Sequence, residues 1–387
     1  MRRRTAQCFV AMALAALASG CGERGTPYVW RLPEGFPPPR VPEDNLLTLE
    51  KIELGRHLFY DARLSGNGTQ ACASCHIQAR AFSEPAATAT GSTGASHRRN
   101  SMALVNVAYN ATFTWAHAGI DSVERHMLLP LFGDAPLEMA AAGHEAEILA
   151  RLAADSEYQR LFARAYPGAR ERFTFDHAVK ALASFVRTLN SFDSPFDRYA
   201  YRGEDAALSE SQLRGMNLFM SERLECSHCH GGFNFSQFVT HESSTVEDRM
   251  FHVTGLYWPG TQALSGVDRG LFAATGELAD LDKFKAPTLR NVEVSAPYMH
   301  DGSLATLDAV IDFYAAGGRD VPDGPQRGDG RLHPGKSAFV RGFTLTPEER
   351  EDVLSFLKSL TDREFLSNQR LADPWPEKQD ALRAAHR

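Results

Sequence analysis

Cys72-Ala73-Ser74-Cys75-His76 and Cys226-Ser227-His228-Cys229-His230 decide how the rest of this chain is read. Two thiols a helical turn apart reach the two vinyl groups of one porphyrin, and the histidine that follows is placed to ligate its iron from one face. A single copy would equally suit a redox dithiol or half of a zinc site. Here each copy stands behind the same local pattern. Thr48 and Ser209 are N-cap residues, and Ser209 with Gln212 fits a capping box. Each opens an amphipathic helix that ends Gly55-Arg56-His57-Leu58-Phe59 in one case and Gly215-Met216-Asn217-Leu218-Phe219 in the other. A loop and the attachment motif follow. This is an internal duplication of one helical unit, and it predicts two covalently attached c-type haems held through Cys72, Cys75, Cys226 and Cys229, with His76 and His230 as iron ligands. No thioredoxin-like βαβ pattern surrounds either pair.

The remaining cysteines support the same count. Of six, Cys8 and Cys21 fall in the first 21 residues, leaving none for a disulfide. Met1-Arg2-Arg3-Arg4, an apolar run from Phe9 to Ala18, and Ser19-Gly20-Cys21 form an export signal too short to span a bilayer. Small residues before Cys21 match a lipoprotein cleavage box. Ala18 stands where Leu is usual, which leaves ordinary signal cleavage open. Residues 1–21 are thus expected as a lipoprotein-type signal peptide, and the mature protein as periplasmic and lipid-anchored through Cys21. Residues 22–45, with Pro33-Glu34-Gly35-Phe36-Pro37-Pro38-Pro39, read as a stiff, extended tether. A formal net charge of -7 argues against a nucleic-acid partner, because phosphate affinity depends on clustered Lys and Arg.

Between the motifs the chain is helical with long loops. Val179, Leu182, Phe185, Val186 and Leu189 recur at helical spacing over Ala178–Leu189. Thr346-Pro347-Glu348-Glu349 supplies an N-cap, a Pro at the first helical position and a box-closing Glu for a terminal helix that buries Val353, Leu354, Phe356, Leu357 and Leu360. No run of alternating strands is evident. The expected fold is mainly α, with an N-terminal haem domain over 46–200, a C-terminal one over 201–365, and a tail over 366–387.

Four further stretches carry a resemblance: Arg99-Asn100-Ser101; Pro136-Leu137-Glu138-Met139; Phe284-Lys285-Ala286-Pro287-Thr288-Leu289-Arg290-Asn291-Val292; and Ala296-Pro297-Tyr298-Met299-His300-Asp301-Gly302-Ser303. With the two haem motifs in the same order, residues 46–361 resemble the bacterial di-haem cytochrome c peroxidase and MauG superfamily. The resemblance implies two cytochrome c-type helical domains, each opening on a helix whose glycine admits close packing.

It also implies roles. Seventeen residues after Pro297 stands Tyr314, where classical members place a Met ligand to the second iron; a Tyr there marks the MauG-like branch. A phenolate is anionic and lowers the potential, whereas a thioether raises it. Taken alone, Tyr314 reads as a core aromatic on a helix, and Met299 is a rival ligand. The distal His that classical members carry sixteen residues after the first motif is absent, since Ser92 stands there, so the first iron is expected to be open to peroxide. His97, the nearest imidazole, is expected in a structural or supporting role. Glu138 matches the family's acid-base glutamate, although a solvated surface Glu is the ordinary fate of that residue type. His126 stands where the family has Gln, and Pro130–Pro136 is two residues longer. Trp115 matches the Trp that carries charge between the haems; packing is its ordinary role. Asn100, Ser295 and Pro297 align with residues that hold a Ca²⁺ between the haems, the last two through backbone carbonyls. Asn100 equally suits a turn.

Thr112-Phe113-Thr114-Trp115 and Pro130-Leu131-Phe132-Gly133-Asp134 lean toward the methanobactin-associated, MbnH-type members. The activity this implies is use of hydrogen peroxide to form a high-valent di-haem state that oxidises a side chain of an exported partner protein, there Trp to kynurenine. The alternatives are a peroxidase fed by a small redox protein, and a non-catalytic di-haem electron carrier with both axial positions filled at each iron.

Overall fold

The structure is a computed structural model that describes residues 25–134, 137–245, 249–260 and 267–375. The signal segment with Cys21, and residues 376–387 of the tail, lie outside the described residues. Twelve helices are joined by long loops: α1 (Leu49–Phe59), α2 (Val123–Phe132), α3 (Glu145–Ala153), α4 (Ser156–Ala165), α5 (Phe175–Arg187), α6 (Pro195–Arg202), α7 (Glu210–Phe219), α8 (Cys226–Cys229), α9 (Phe272–Thr275), α10 (Leu307–Ala315), α11 (Pro347–Lys358) and α12 (Arg363–Ser367). Among the described residues the only sheet is a two-residue antiparallel pair, Asp320–Val321 with Gly328–Asp329. No described helix is long and apolar enough to cross a membrane.

The expected caps form. Thr48 Oγ1 accepts from Lys51 N–H at the start of α1, and reciprocal capping boxes start α7 (Ser209 with Gln212) and α11 (Thr346 with Glu349, Pro347 at the first position). The helix expected over 178–189 starts earlier, because Thr174 caps it by accepting from His177 N–H.

The duplication is visible in the packing. α1 crosses α5 at Gly55, where an added Cβ would stand 1.9 Å from the carbonyl oxygen of Ala181 and 2.9 Å from Cβ of Phe185. α7 crosses α11 at Gly215, where the same atom would stand 1.9 Å from the carbonyl oxygen of Asp352 and 2.9 Å from Cβ of Phe356. Around the first crossing Leu54, Leu58, Phe59, Leu182 and Phe185 are fully buried with Leu152 and Phe162; around the second, Phe219, Phe235, Val353, Phe356 and Leu360 form a separate core.

The domain borders drawn from sequence are crossed by the chain. Phe196 of α6, expected in the first half, packs in the second core. Phe365, Leu371 and Trp375, expected at the end of the second half and in the tail, pack in the first. Trp375 donates its indole N–H to the His57 carbonyl at 3.1 Å, and Tyr60 donates to the Leu371 carbonyl at 2.8 Å. Nor do residues 25–45 run free as a tether. Tyr28 N–H donates to the Leu47 carbonyl, Phe36 packs edge-on against Phe192 and Tyr201, and Tyr109 donates to the Pro37 carbonyl at 2.9 Å. Proline removes donors from this segment but leaves its carbonyls and aromatic side chains such as Phe36 to dock.

A buried ion pair ties α6 to the loop behind the second motif. Arg290 meets Asp197 with two 2.8 Å hydrogen bonds, both side chains being about 1% exposed, and it also donates to the Phe233 and Ser191 carbonyls. Removing one partner of such a pair costs about 3–5 kcal/mol, because the other is left charged in the interior.

The two crossings should be equally intolerant of a methyl group. Gly215→Ala is expected to destabilise the protein by about 1–3 kcal/mol through forced separation of α7 and α11. A thermal melt of the holoprotein within about a degree of wild type would show that the helices do not depend on this approach.

Candidate active site

Each attachment motif ends on a histidine whose orientation is fixed by backbone carbonyls. His76 Nδ1 donates to the Phe82 carbonyl at 2.7 Å. His230 Nδ1 shares its proton between the Phe235 and Pro287 carbonyls at 3.2 and 3.1 Å. In both rings Nε2 is left as the free electron pair, the arrangement an iron ligand requires. Burial holds both imidazoles neutral, pushing His76 below its ordinary value and His230 to about 4. The cysteines Cys72, Cys75, Cys226 and Cys229 form no disulfide. Burial pushes Cys72, Cys75 and Cys226 up to about 12, so they are not poised as redox thiolates. Thiols, orientation and burial all fit covalent haem.

The second motif opens on a cavity walled by Cys226, Cys229 and His230 and by apolar side chains of three helices, among them Phe219, Ile311 and Val353. Tyr314, on α10, lines it too, close enough to Cys229 and Cys226 to feel their charge. Burial pushes its phenol well above the ordinary value, so a phenolate here would need a cation beside it, which a ferric iron would supply. Met299, the rival, also lines the cavity.

The same cavity continues to Trp115 and His126. Trp115 is held from both sides: its indole N–H donates to the Asn100 carbonyl at 2.7 Å, and its own carbonyl accepts from Lys285 N–H at 2.8 Å. His126 projects from α2 into this space. Burial, reinforced by His76 and Lys285, holds it down to about 4. Asn100, Ser295 and Pro297 lie on the cavity wall as well. Asn100 turns its amide nitrogen to the Ala86 and Ala87 carbonyls, both at 3.1 Å, which leaves Oδ1 as the atom available to a cation. Arg80 donates to the carbonyl of Ala296, between the other two.

Glu138 follows α2, whose last turn contains Pro130; Met139 N–H returns to the Pro130 carbonyl, folding the segment back on the helix. A short β-bridged loop, Thr90 against Ser96, closes over it: Ser92 N–H donates to the Glu138 carbonyl, and Gly91 sits where a Cβ would be 1.9 Å from the Leu137 carbonyl. The Glu138 side chain is 38% accessible, and burial of the remainder pushes it up to about 7. Its charge reaches Cys72 and Cys75 of the first attachment motif. His97, named from sequence only as a supporting residue, brings Nδ1 to 3.6 Å from Glu138 Oε1.

Sequence reading passed over Lys285, quoted only as part of a motif. It is buried, donates Nζ to the Thr112 carbonyl at 2.7 Å, and lines the cavity with Trp115 and His126. A lysine among apolar neighbours gives no sign in sequence that it will be buried.

Fold and site together fit a di-haem c-type cytochrome whose motif histidines are oriented to ligate iron, with a cavity that runs from the second motif to Trp115 and His126. A family model described as di-haem cytochrome c peroxidase matches residues 49–206. The chain is 32% identical to a cytochrome-c peroxidase of Denitromonas iodatirespirans over 92% of each chain. It is 34% identical to the methylamine utilization protein MauG of Methylorubrum extorquens, over 86% of this chain and 83% of that one. Of solved structures, a MauG-like protein associated with microbial copper homeostasis shares 45% identity with a TM-score of 0.87, covering 90% of this chain and 99% of that one. The di-haem peroxidase BthA from Burkholderia thailandensis, 20% identical with a TM-score of 0.65, shares the fold. The chain belongs to the di-haem cytochrome c peroxidase and MauG family of haem-dependent peroxidases and carries two covalent c-type haems.

A carboxyl near 7 gives a pH signature. Only the ionised form of Glu138 takes a proton, so reaction with peroxide should fall as pH drops through about 7. Glu138→Gln should abolish that limb and slow the reaction by roughly a hundredfold or more. Stopped-flow traces against pH check both; a limb that persists in the variant assigns it to another group.

Proposed function

We propose that this protein uses hydrogen peroxide to oxidise a side chain of an exported partner protein, in the manner of MauG. The observation that carries the reading is Tyr314 in the cavity of the second haem, beside Cys226 and Cys229. The haems, when bound, pass to peroxide the two electrons taken from the partner. Around them the chain's own residues act. Peroxide meets the first site, where Glu138 takes the proton of the near oxygen and returns it to the far one, which leaves as water. His126 stays neutral at working pH and shapes the pocket without donating a charged proton. Trp115, fixed at both ends of its hydrogen-bonding frame, is the aromatic relay between the sites. A calcium ion between the haems would be held by Asn100 Oδ1 and the carbonyls of Ser295 and Pro297, hard oxygen donors suited to it.

The 45% likeness to a MauG-like protein associated with microbial copper homeostasis supports a partner among exported proteins that handle copper. Anchoring through a lipid on Cys21 would keep enzyme and partner on the same face of the membrane.

Two measurements test this. Electron paramagnetic resonance of the resting protein should show one high-spin and one low-spin haem, the first site being open and the second closed by Tyr314; two low-spin haems would indicate an electron carrier. One equivalent of peroxide should then convert the resting diferric protein directly into a long-lived form oxidised by two electrons. Tyr314→Met should raise the second haem's potential and shorten that form's lifetime, because a neutral thioether replaces an anionic donor. A wild type inert to peroxide until half-reduced would instead identify a peroxidase fed by a small redox protein.

A further inference from the structure

His97 and Glu138 are forty residues apart in sequence, yet three backbone features bring them together. The loop over 89–97 closes on itself through the His97 N–H bond to the Ala89 carbonyl, 2.9 Å, and the Thr90–Ser96 bridge. It is pinned to the glutamate's own backbone by Ser92 N–H to the Glu138 carbonyl, 2.8 Å. Gly91 packs against the Leu137 carbonyl with no room for a side chain. The imidazole is thereby delivered to the carboxyl with Nδ1 3.6 Å from Oε1, its side chain 13% accessible. Catalytic contacts are often this long before substrate binds.

We infer that His97 is the positioning residue of Glu138: its Nδ1–H donates to Oε1 and aims Oε2 at peroxide on the first haem. This rests on the acid-base role of Glu138 proposed above. The logic is that of a base held by a third group, which removes rotational freedom from a side chain that would otherwise sweep its recess. The charged or titratable groups facing Glu138 are His97 from the loop and Cys72 and Cys75 from the haem turn. Once the thiols are bonded to haem they no longer titrate, and His97 remains the polar partner on that side. Burial keeps His97 below its ordinary value, so near neutral pH it offers a neutral N–H and not a competing charge.

The test uses the holoprotein with both haems attached. It compares wild type, His97→Ala, His97→Asn, Glu138→Gln and the double variant His97→Ala/Glu138→Gln, with cyanide binding as a check that the first site is intact. His97→Ala should slow the peroxide reaction about tenfold or more and displace its pH limb. His97→Asn, whose amide nitrogen overlays Nδ1, should recover most of the rate. The alanine change should cost nothing further once Glu138 is replaced. If Glu138→Gln is slow but His97→Ala stays within about twofold of wild type, or His97→Asn recovers nothing, the positioning role is overturned and the role of Glu138 stands. If Glu138→Gln reacts at the wild-type rate, the acid-base reading fails and the inference goes with it. A first haem that is low-spin at rest and becomes high-spin in His97→Ala also overturns it, because His97 would then be an iron ligand.

Discussion

Backbone meets backbone at two helix crossings in this protein, one ahead of each haem motif. At Gly55 and at Gly215 the space a side chain would need is filled by a carbonyl oxygen of the crossing helix, at the same 1.9 Å in both halves. Each crossing helix is followed by a loop that leads to the cysteine pair. The neighbouring buried phenylalanines, Phe185 in one half and Phe356 in the other, take up the space beside each glycine. The two halves are then fastened by exchange. Phe196 enters the second core while Phe365 and Trp375 return to the first, so neither half buries its apolar surface alone.

That exchange bears on function because the cavity crosses the same border. His230 and Tyr314 belong to the second half, His126 and Trp115 to the first, and all four line one space. Relative movement of the halves would alter the path between the irons. The buried Arg290–Asp197 pair holds α6 to the second half, and the returning C-terminal segment resists such movement.

How much of this could be read from sequence depended on whether a feature is local. The haem motifs, the N-caps and the glycine crossings are encoded within a dozen residues, and the structure shows the caps and crossings where the pattern put them. The domain borders failed because they rest on side chains that pack across the chain: nothing near Trp375 announces that its indole reaches His57. The proline-rich segment misled for a related reason, since its composition reports stiffness but not that Phe36 has an aromatic pocket to enter. Glu138 and Tyr314 were visible only through resemblance. Their own surroundings, a loop closing from residues 89–97 and a cavity walled by three helices, are assembled by tertiary structure alone. His97 shows the limit most plainly, since its partner is set by a hairpin whose closure depends on Gly91.

The two ionisable groups at the first site are held apart in a way that fixes which can do proton chemistry. Glu138 at about 7 is present in both forms near neutral pH, the condition for taking a proton and giving it back. His126 at about 4 is almost wholly neutral there and cannot supply a charged proton. Burial is the leading cause in both, and it acts in opposite directions because it always disfavours the charged form. For His126 two further influences add to the first: charge on His76, and after it on Lys285, which lies on the same cavity wall, opposes another cation beside it. A glutamine, the residue expected at this place, has no such constraint; a histidine can replace it only where the surroundings keep the ring neutral. Burial, His76 and Lys285 supply those surroundings, so the departure at His126 preserves a neutral hydrogen-bonding group.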